Sequence, residues 1–207
     1  MAFLIPVVYV FSLPILAAWC HTGQKGHKID VNACFVADNR NYNSNSIGKG
    51  SVSGYILTPQ ATAAMSFVFL PTFALWIYTA YLLKNIWINT TLVVVLVFFS
   101  LFLTNPIERN PNIHSAVVAV FAVGSVLFSI LVAMETRAKL GHNPLELIAL
   151  LSFAGVSLVL FALSGIFRHK HVHVFGFGIT WLLESIAFAA VLFPMCFWIL
   201  KYSSTFA

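Results

Sequence analysis

Along this chain long apolar runs alternate with short polar breaks, and the length of each run sets the element it can form. A helix that crosses a hydrocarbon layer of about 30 Å needs about 20 mostly apolar residues. Six runs meet that need: Ala2–Trp19, Ala61–Leu83, Ile86–Leu103, Ser115–Met134, Leu145–Phe167 and Val174–Leu200. In lipid the backbone polar groups must be paired internally, so each run is expected as a helix and not as an open strand. The first run, "AFLIPVVYVFSLPILAAW", has no basic stretch ahead of it and is expected to stay as a helix rather than be removed as a signal peptide. One sizeable polar segment, His21–Gln60, follows it. Its stretch "NRNYNSNSIGKGSVSG" is rich in Asn, Ser and Gly, which favour turns. The remaining connections are short, so helices adjacent in sequence should be neighbours in space. The expected fold is all-α: a polytopic membrane protein forming one domain, a compact bundle of about six transmembrane helices with a polar loop after the first.

Composition agrees with this pattern. Hydrophobic residues make up 60% of the chain and charged residues 8%, against about 25% charged in a soluble domain. Too little polar surface is present to clothe a water-soluble fold, so the solvent is lipid. The net charge of +5 comes from Lys and Arg scattered singly through the connections. They form no basic face, which points to anionic lipid headgroups rather than nucleic acid.

Charge sets orientation only weakly. Lys84, Arg137, Lys139 and Lys201 fall on the side of the N-terminus, while Arg109, Arg168 and Lys170 fall opposite with four more cations in the long loop. Cys20 and Cys34 flank or lie in that loop and are a candidate disulfide if it faces an oxidising compartment. That places the loop outside. Cys196, in the last run, reads as a small packing residue.

Glu184 is the first chemical feature, an acid within "TWLLESIAFAAVLF". A charged side chain at the centre of a span costs about 2.5–3.5 kcal/mol on insertion scales and usually faces a bundle interior or a cavity. On a helix it shares a face with Thr180 and Trp181, and Thr180 stands where it can hydrogen-bond the acid. Two roles are open: a ligand or proton site, or an interhelical hydrogen bond that fixes the packing of the last helix.

The second feature is "TNPIERNPNIHSAVVAV", Thr104–Val120. Pro106 and Pro111 stop helix continuation there, and the Asn residues cap and turn. Glu108, Arg109 and His114 come close together at the membrane edge, a grouping suited to acid–base work, but no nucleophile accompanies them in the sequence. The third feature, "RHKHVHVFGFG", carries three histidines without the further ligands of a metal centre, and no metal or other cofactor is expected. Ser125, Ser129 and Ala133 recur every fourth residue and predict a face on which another helix packs closely. Pro71 and Pro194 are expected to kink their helices.

Three stretches together carry a resemblance to a known family. "NPIERNPNIHSAVVAVFAVGSVLF", "WLLESIAFAAVLFPMCFW" and "MSFVFLPTFALWIYTAYLLK" resemble segments of the DRAM/Frag/Sfk-type six-helix membrane proteins. Glu108 and His114 take the family's acid and histidine positions, and Glu184 its sixth-helix acid. The chain departs from the family in the first loop, which has no "PYISDTG"-like stretch, and at Ser185, where the family has Trp. The resemblance implies a non-catalytic organiser or adaptor in plasma or endolysosomal membrane, tied to phosphoinositide or lipid homeostasis or to autophagy. Its partners would be membrane lipids and another membrane protein, held through Glu184, Thr180, Trp181, Glu108, Arg109 and His114. An accessory subunit of a larger membrane complex and a lipid-remodelling enzyme or factor are the alternatives. The last of these requires Glu184, Glu108 and His114 to converge on one polar pocket.

Overall fold

A computed structural model of the chain describes residues 4–20, 36, 50–105, 110–142, 145–167, 172–174 and 177–206. Their elements are α1 (Leu4–Cys20), α2 (Val52–Tyr55), α3 (Pro59–Leu83), α4 (Ile86–Thr104), α5 (Pro111–Leu140), α6 (Leu145–Phe167), β1 (His173–Val174), β2 (Phe177–Gly178) and α7 (Ile179–Phe206). Five of the helices are long and apolar enough to cross a membrane. The sixth, α1, has 17 residues and so spans about 25 Å. The fold is the expected helical bundle, and the chain is an integral, multi-pass membrane protein.

Local chemistry sets the helix ends. Thr58, Asn85 and Asn110 each accept backbone N–H groups in the first turn of α3, α4 and α5, and Pro59 and Pro111 follow two of these caps. Gly141 ends α5 at φ 72°, the left-handed conformation that glycine adopts without strain. Lys84, also left-handed at φ 54°, reverses the chain between α3 and α4. Pro71 and Pro194 lie inside single continuous helices.

Several boundaries differ from the apolar runs: α3 starts at Pro59, α7 runs on to Phe206, and the larger differences lie in α5 and at the start of α7. The Asn110 cap starts α5 four residues early, and its polar end carries Glu135, Arg137 and Lys139 beyond the apolar run. The last helix starts at Ile179 rather than Val174, because His173–Val174 and Phe177–Gly178 pair as a short antiparallel ladder. A run of apolar residues is equally compatible with either conformation, and Gly178 marks where the backbone turns into the helix.

The helices close into a ring in the order α1, α3, α4, α5, α6, α7, with the most extensive pairings between α6 and α7 and between α4 and α5. Further contacts link α3, α5 and α7 to one another, so these three form the inner layer. Rings fill the middle. Phe69, Phe73 and Trp76 of α3 meet Phe99 of α4, Phe128 of α5 and Phe188 of α7 at centroid distances of 4.7–5.9 Å. Outward-facing apolar side chains such as Phe67, Val93, Leu145 and Phe197 are exposed to the surrounding lipid.

The small-residue face on α5 is buried at Ser125, Ser129 and Ala133. Both serine hydroxyls donate to carbonyls one turn back, those of Phe121 and Ser125. The tight approach falls beside them, at Gly124, where an added Cβ would stand 3.0 Å from the Val95 side chain on α4. Ser125 instead borders the ring cluster.

The two ends of the bundle have different polar furniture. At the end holding the α3–α4 turn, Lys139 donates to the Leu83 carbonyl at 2.7 Å and Asn85 to Glu135 at 2.6 Å. Lys201 is paired with Glu146 at the same end. These groups close helix ends with one another. The opposite end gathers α2, the C-termini of α1, α4 and α6, and the N-termini of α3, α5 and α7. The candidate chemistry lies there.

Candidate functional site

The site begins with a backbone contact. Gly50 has φ 81°, and its carbonyl accepts the Trp181 N–H at 2.6 Å. A Cβ placed on Gly178 would come within 2.5 Å of the Gly50 Cα. Two glycine backbones therefore lie directly against each other, and the contact clamps the turn after Gly50 onto the start of α7. Trp181 adds a second tether by donating its indole N–H to the Val10 carbonyl of α1 at 3.0 Å.

The clamped turn is α2. Ser51 caps it, accepting the Gly54 N–H at 3.1 Å. The Val52 N–H, left open at the start of so short a helix, donates to Glu184 Oε2 at 2.7 Å. Glu184 thus satisfies a backbone donor 132 positions away in sequence. It lies five residues past the start of α7, about 7.5 Å along its axis, and is only partly buried. The later helix start moves it from the mid-span position that the apolar run implied to the first turns of α7. Thr180 is buried, and among the described residues no hydrogen bond joins it to Glu184.

His114 completes the arrangement. It lies in the first turns of α5 at 3% exposure, with its ring 5.4 Å from that of Phe102. Nδ1 is 2.6 Å from the Asn105 carbonyl, and Nε2 is 2.9 Å from Ser53 Oγ. A carbonyl oxygen has no proton to give, so Nδ1 is the donor in that contact. In the neutral ring Nε2 is then the acceptor, and Ser53 donates its hydroxyl proton to it.

These groups border one cavity of about 280 Å³. Ser51, Ser53, His114, Ser115 and Glu184 form its polar end. The rest is an apolar slot between α5 and α6, from Val118 to Val123 on one wall and from Leu158 to Gly165 on the other. On α5 the slot runs from Ser115 to Val123, about 12 Å along the axis. Ala119 and Val123 on α5 and Leu158, Ala162 and Gly165 on α6 are exposed, so the slot opens sideways to the surroundings of the bundle.

Glu184 and His114, candidates from the sequence, therefore border one cavity, while Trp181 and Thr180 are buried nearby on α7 without lining it. Glu108, Arg109 and Cys34 lie outside the described residues. Cys20 is disulfide-bonded and Cys196 is a free thiol. Sequence reasoning missed Ser51 and Ser53, which it took only as part of a turn-forming stretch. A serine two residues from a helix cap has no periodicity to mark it, and its histidine lies 61 positions away. Comparison of the chain with protein-family models, with characterised proteins and with solved structures gives no match.

The Glu184 contact predicts a split between two substitutions. Glu184→Gln keeps an oxygen that can accept the Val52 N–H and should retain wild-type thermal stability. Glu184→Leu leaves that amide unsatisfied, at a cost of about 1–3 kcal/mol, and should lower the melting temperature of the purified protein. Loss of ligand or activity in the Gln variant at unchanged stability would instead assign Glu184 a role in proton chemistry.

Proposed function

We propose that this protein holds a membrane lipid, with the polar part of the lipid at Ser51, Ser53, His114 and Glu184 and an acyl chain in the slot between α5 and α6. The observation that carries this reading is the shape of the cavity: polar at the membrane edge, apolar below, and open on the side that faces lipid. Ligand pockets pair a largely apolar wall with a few convergent polar groups in this way. A lipid diffusing in the bilayer can enter such a slot sideways without leaving hydrocarbon.

Resemblance to DRAM/Frag/Sfk-type proteins supports the same reading, because lipid homeostasis is among the roles that family implies, in plasma or endolysosomal membrane. The disulfide at Cys20 supports a non-cytoplasmic location for the end of the bundle that carries the polar groups, since disulfides persist in oxidising compartments. Lys84, Arg137, Lys139 and Lys201 then face the cytoplasm, four cations against three in the short connections opposite and four more in the long loop, so the orientation rests on the disulfide and not on the charge count. The organiser and the lipid-remodelling factor both use a bound lipid. The meeting of His114 and Glu184 with Ser51, Ser53 and Ser115 in one cavity favours the factor that acts on it.

The test is native mass spectrometry of the protein extracted gently from its own membrane, beside an Ala162→Trp variant. Ala162 borders the slot at an exposed position, so the indole should fill the opening while leaving the melting temperature within a few degrees of wild type. A stoichiometric lipid on the wild-type chain that is lost from the variant is the expected result. A stoichiometric protein companion and no lipid would overturn the reading in favour of an organiser or accessory subunit.

A further inference from the structure

We propose that Ser53 and His114 are a nucleophile and its general base, and that the protein transfers a fatty acyl group out of a lipid ester through an acyl-serine intermediate. This rests on the lipid-binding reading of the same cavity. Nucleophilic catalysis by serine needs a base within about 2.6–3.2 Å of the hydroxyl and a third group that orients the base. Both needs are met. Nε2 is 2.9 Å from Ser53 Oγ, and the Asn105 carbonyl at 2.6 Å from Nδ1 holds the tautomer in which Nε2 accepts the proton. The orienting group is a neutral carbonyl rather than a carboxylate.

Burial strengthens the assignment. Ser53 is 8% and His114 3% exposed, yet both border the cavity. A hydroxyl hydrogen-bonded to an imidazole at the polar end of a cavity that opens sideways between α5 and α6 is placed to meet a lipid ester. A packing role alone would be served as well by a serine bonded to a nearby carbonyl, as Ser100, Ser125 and Ser129 are. Ser53 is instead matched to a side chain that can take its proton.

The chemistry balances without a redox partner. Ser53 Oγ bonds to the ester carbonyl carbon while its proton passes to His114 Nε2. The bond from that carbon to the lipid's alcohol oxygen then breaks, and the Nε2 proton goes to the departing oxygen. The lipid leaves one acyl chain short, and Ser53 carries an ester. A second alcohol, or water, reverses these steps: it gives its proton to Nε2, takes the acyl group, and Ser53 recovers its proton as its bond breaks. Glu184 is a positioning residue here, because it holds the Val52 amide one residue before the nucleophile.

The test uses the full chain in lipid nanodiscs with an alkyne-tagged fluorophosphonate, followed by peptide mapping. The expected adduct is on Ser53. Ser53→Ala should reduce labelling to background, His114→Asn should slow it by at least about 100-fold, and Ser100→Ala, at an exposed position of α4 away from the cavity, should leave Ser53 labelled. With p-nitrophenyl palmitate as donor, the wild-type acyl adduct should resist neutral hydroxylamine, while Ser53→Cys should give a thioester that hydroxylamine releases. A folded wild-type protein that retains lipid yet takes no adduct, or labelling that persists in Ser53→Ala, overturns the proposal and leaves lipid binding standing. An adduct on Ser53 in a protein that holds no lipid supports the nucleophile and overturns only the lipid-binding reading.

Discussion

Gly178→Ala is expected to separate the turn bearing Ser51 and Ser53 from the start of α7. The added methyl would come within 2.5 Å of the Gly50 Cα and 2.6 Å of its carbonyl oxygen. Both are backbone atoms, so no side-chain rotation can relieve the overlap. Either β2 or the Gly50 turn must move, and the 2.6 Å bond from the Trp181 N–H to the Gly50 carbonyl is lost with the movement. Overpacking of a tight site costs about 1–3 kcal/mol, and the displaced hydrogen bond adds about 0.5–1.5 kcal/mol. The functional loss should exceed the loss of stability. Once the turn shifts, the Val52 amide leaves Glu184 and Ser53 leaves His114, so both halves of the site come apart together. Thermal unfolding and lipid retention, measured on the same sample, check this: lipid should vanish while a folded bundle remains below the new midpoint. Wild-type behaviour in both would mean that the glycine contact does not hold the site.

Phe69→Ala is expected to be the most damaging change in the bundle itself. Phe69 is 1% exposed and its ring meets Phe73 at 6.0 Å, Phe99 at 5.3 Å and Phe188 at 5.9 Å. Those partners lie on α3, α4 and α7, so one side chain joins three helices. Hydrocarbon outside the bundle is as apolar as the core, so packing rather than burial from water holds these helices together. A cavity at this position forfeits contacts on every side, and buried Phe→Ala changes cost about 3–5 kcal/mol in soluble cores. The melting temperature in detergent should fall well beyond that of Glu184→Leu. Phe69→Leu should recover much of the loss, because it refills most of the volume. Equal melting temperatures for Phe69→Ala and wild type would show that the ring cluster contributes little.

How far the chain reveals itself depends on which physical effect writes the pattern. The lipid solvent acts on every residue of a span, so a run of about 20 apolar residues carries its own meaning. That is why the helices and the membrane were legible from Leu4 to Phe206. A helix start was legible at Ile86, after Asn85, whereas α5 starts at Pro111, four residues ahead of its apolar run, because Asn110 caps it. The last helix was misplaced by five residues because "VFGFG" is apolar in either conformation, and a short ladder with His173–Val174 took it.

The site divides in the same way. Glu184 could be singled out because a titratable residue is rare in an apolar run, and His114 because it stands with Glu108 and Arg109 in a short polar turn between two such runs. Ser53 could not, since a serine in a polar, glycine-rich stretch stands out against nothing. Only the folded chain brings it to 2.9 Å from His114 and sets the neighbouring Val52 amide on Glu184. The sequence by itself determined the solvent, the number of apolar helices and the two polar residues that do not belong among them. The tertiary structure decided what those residues face, because two glycines without side chains let a distant turn close against α7.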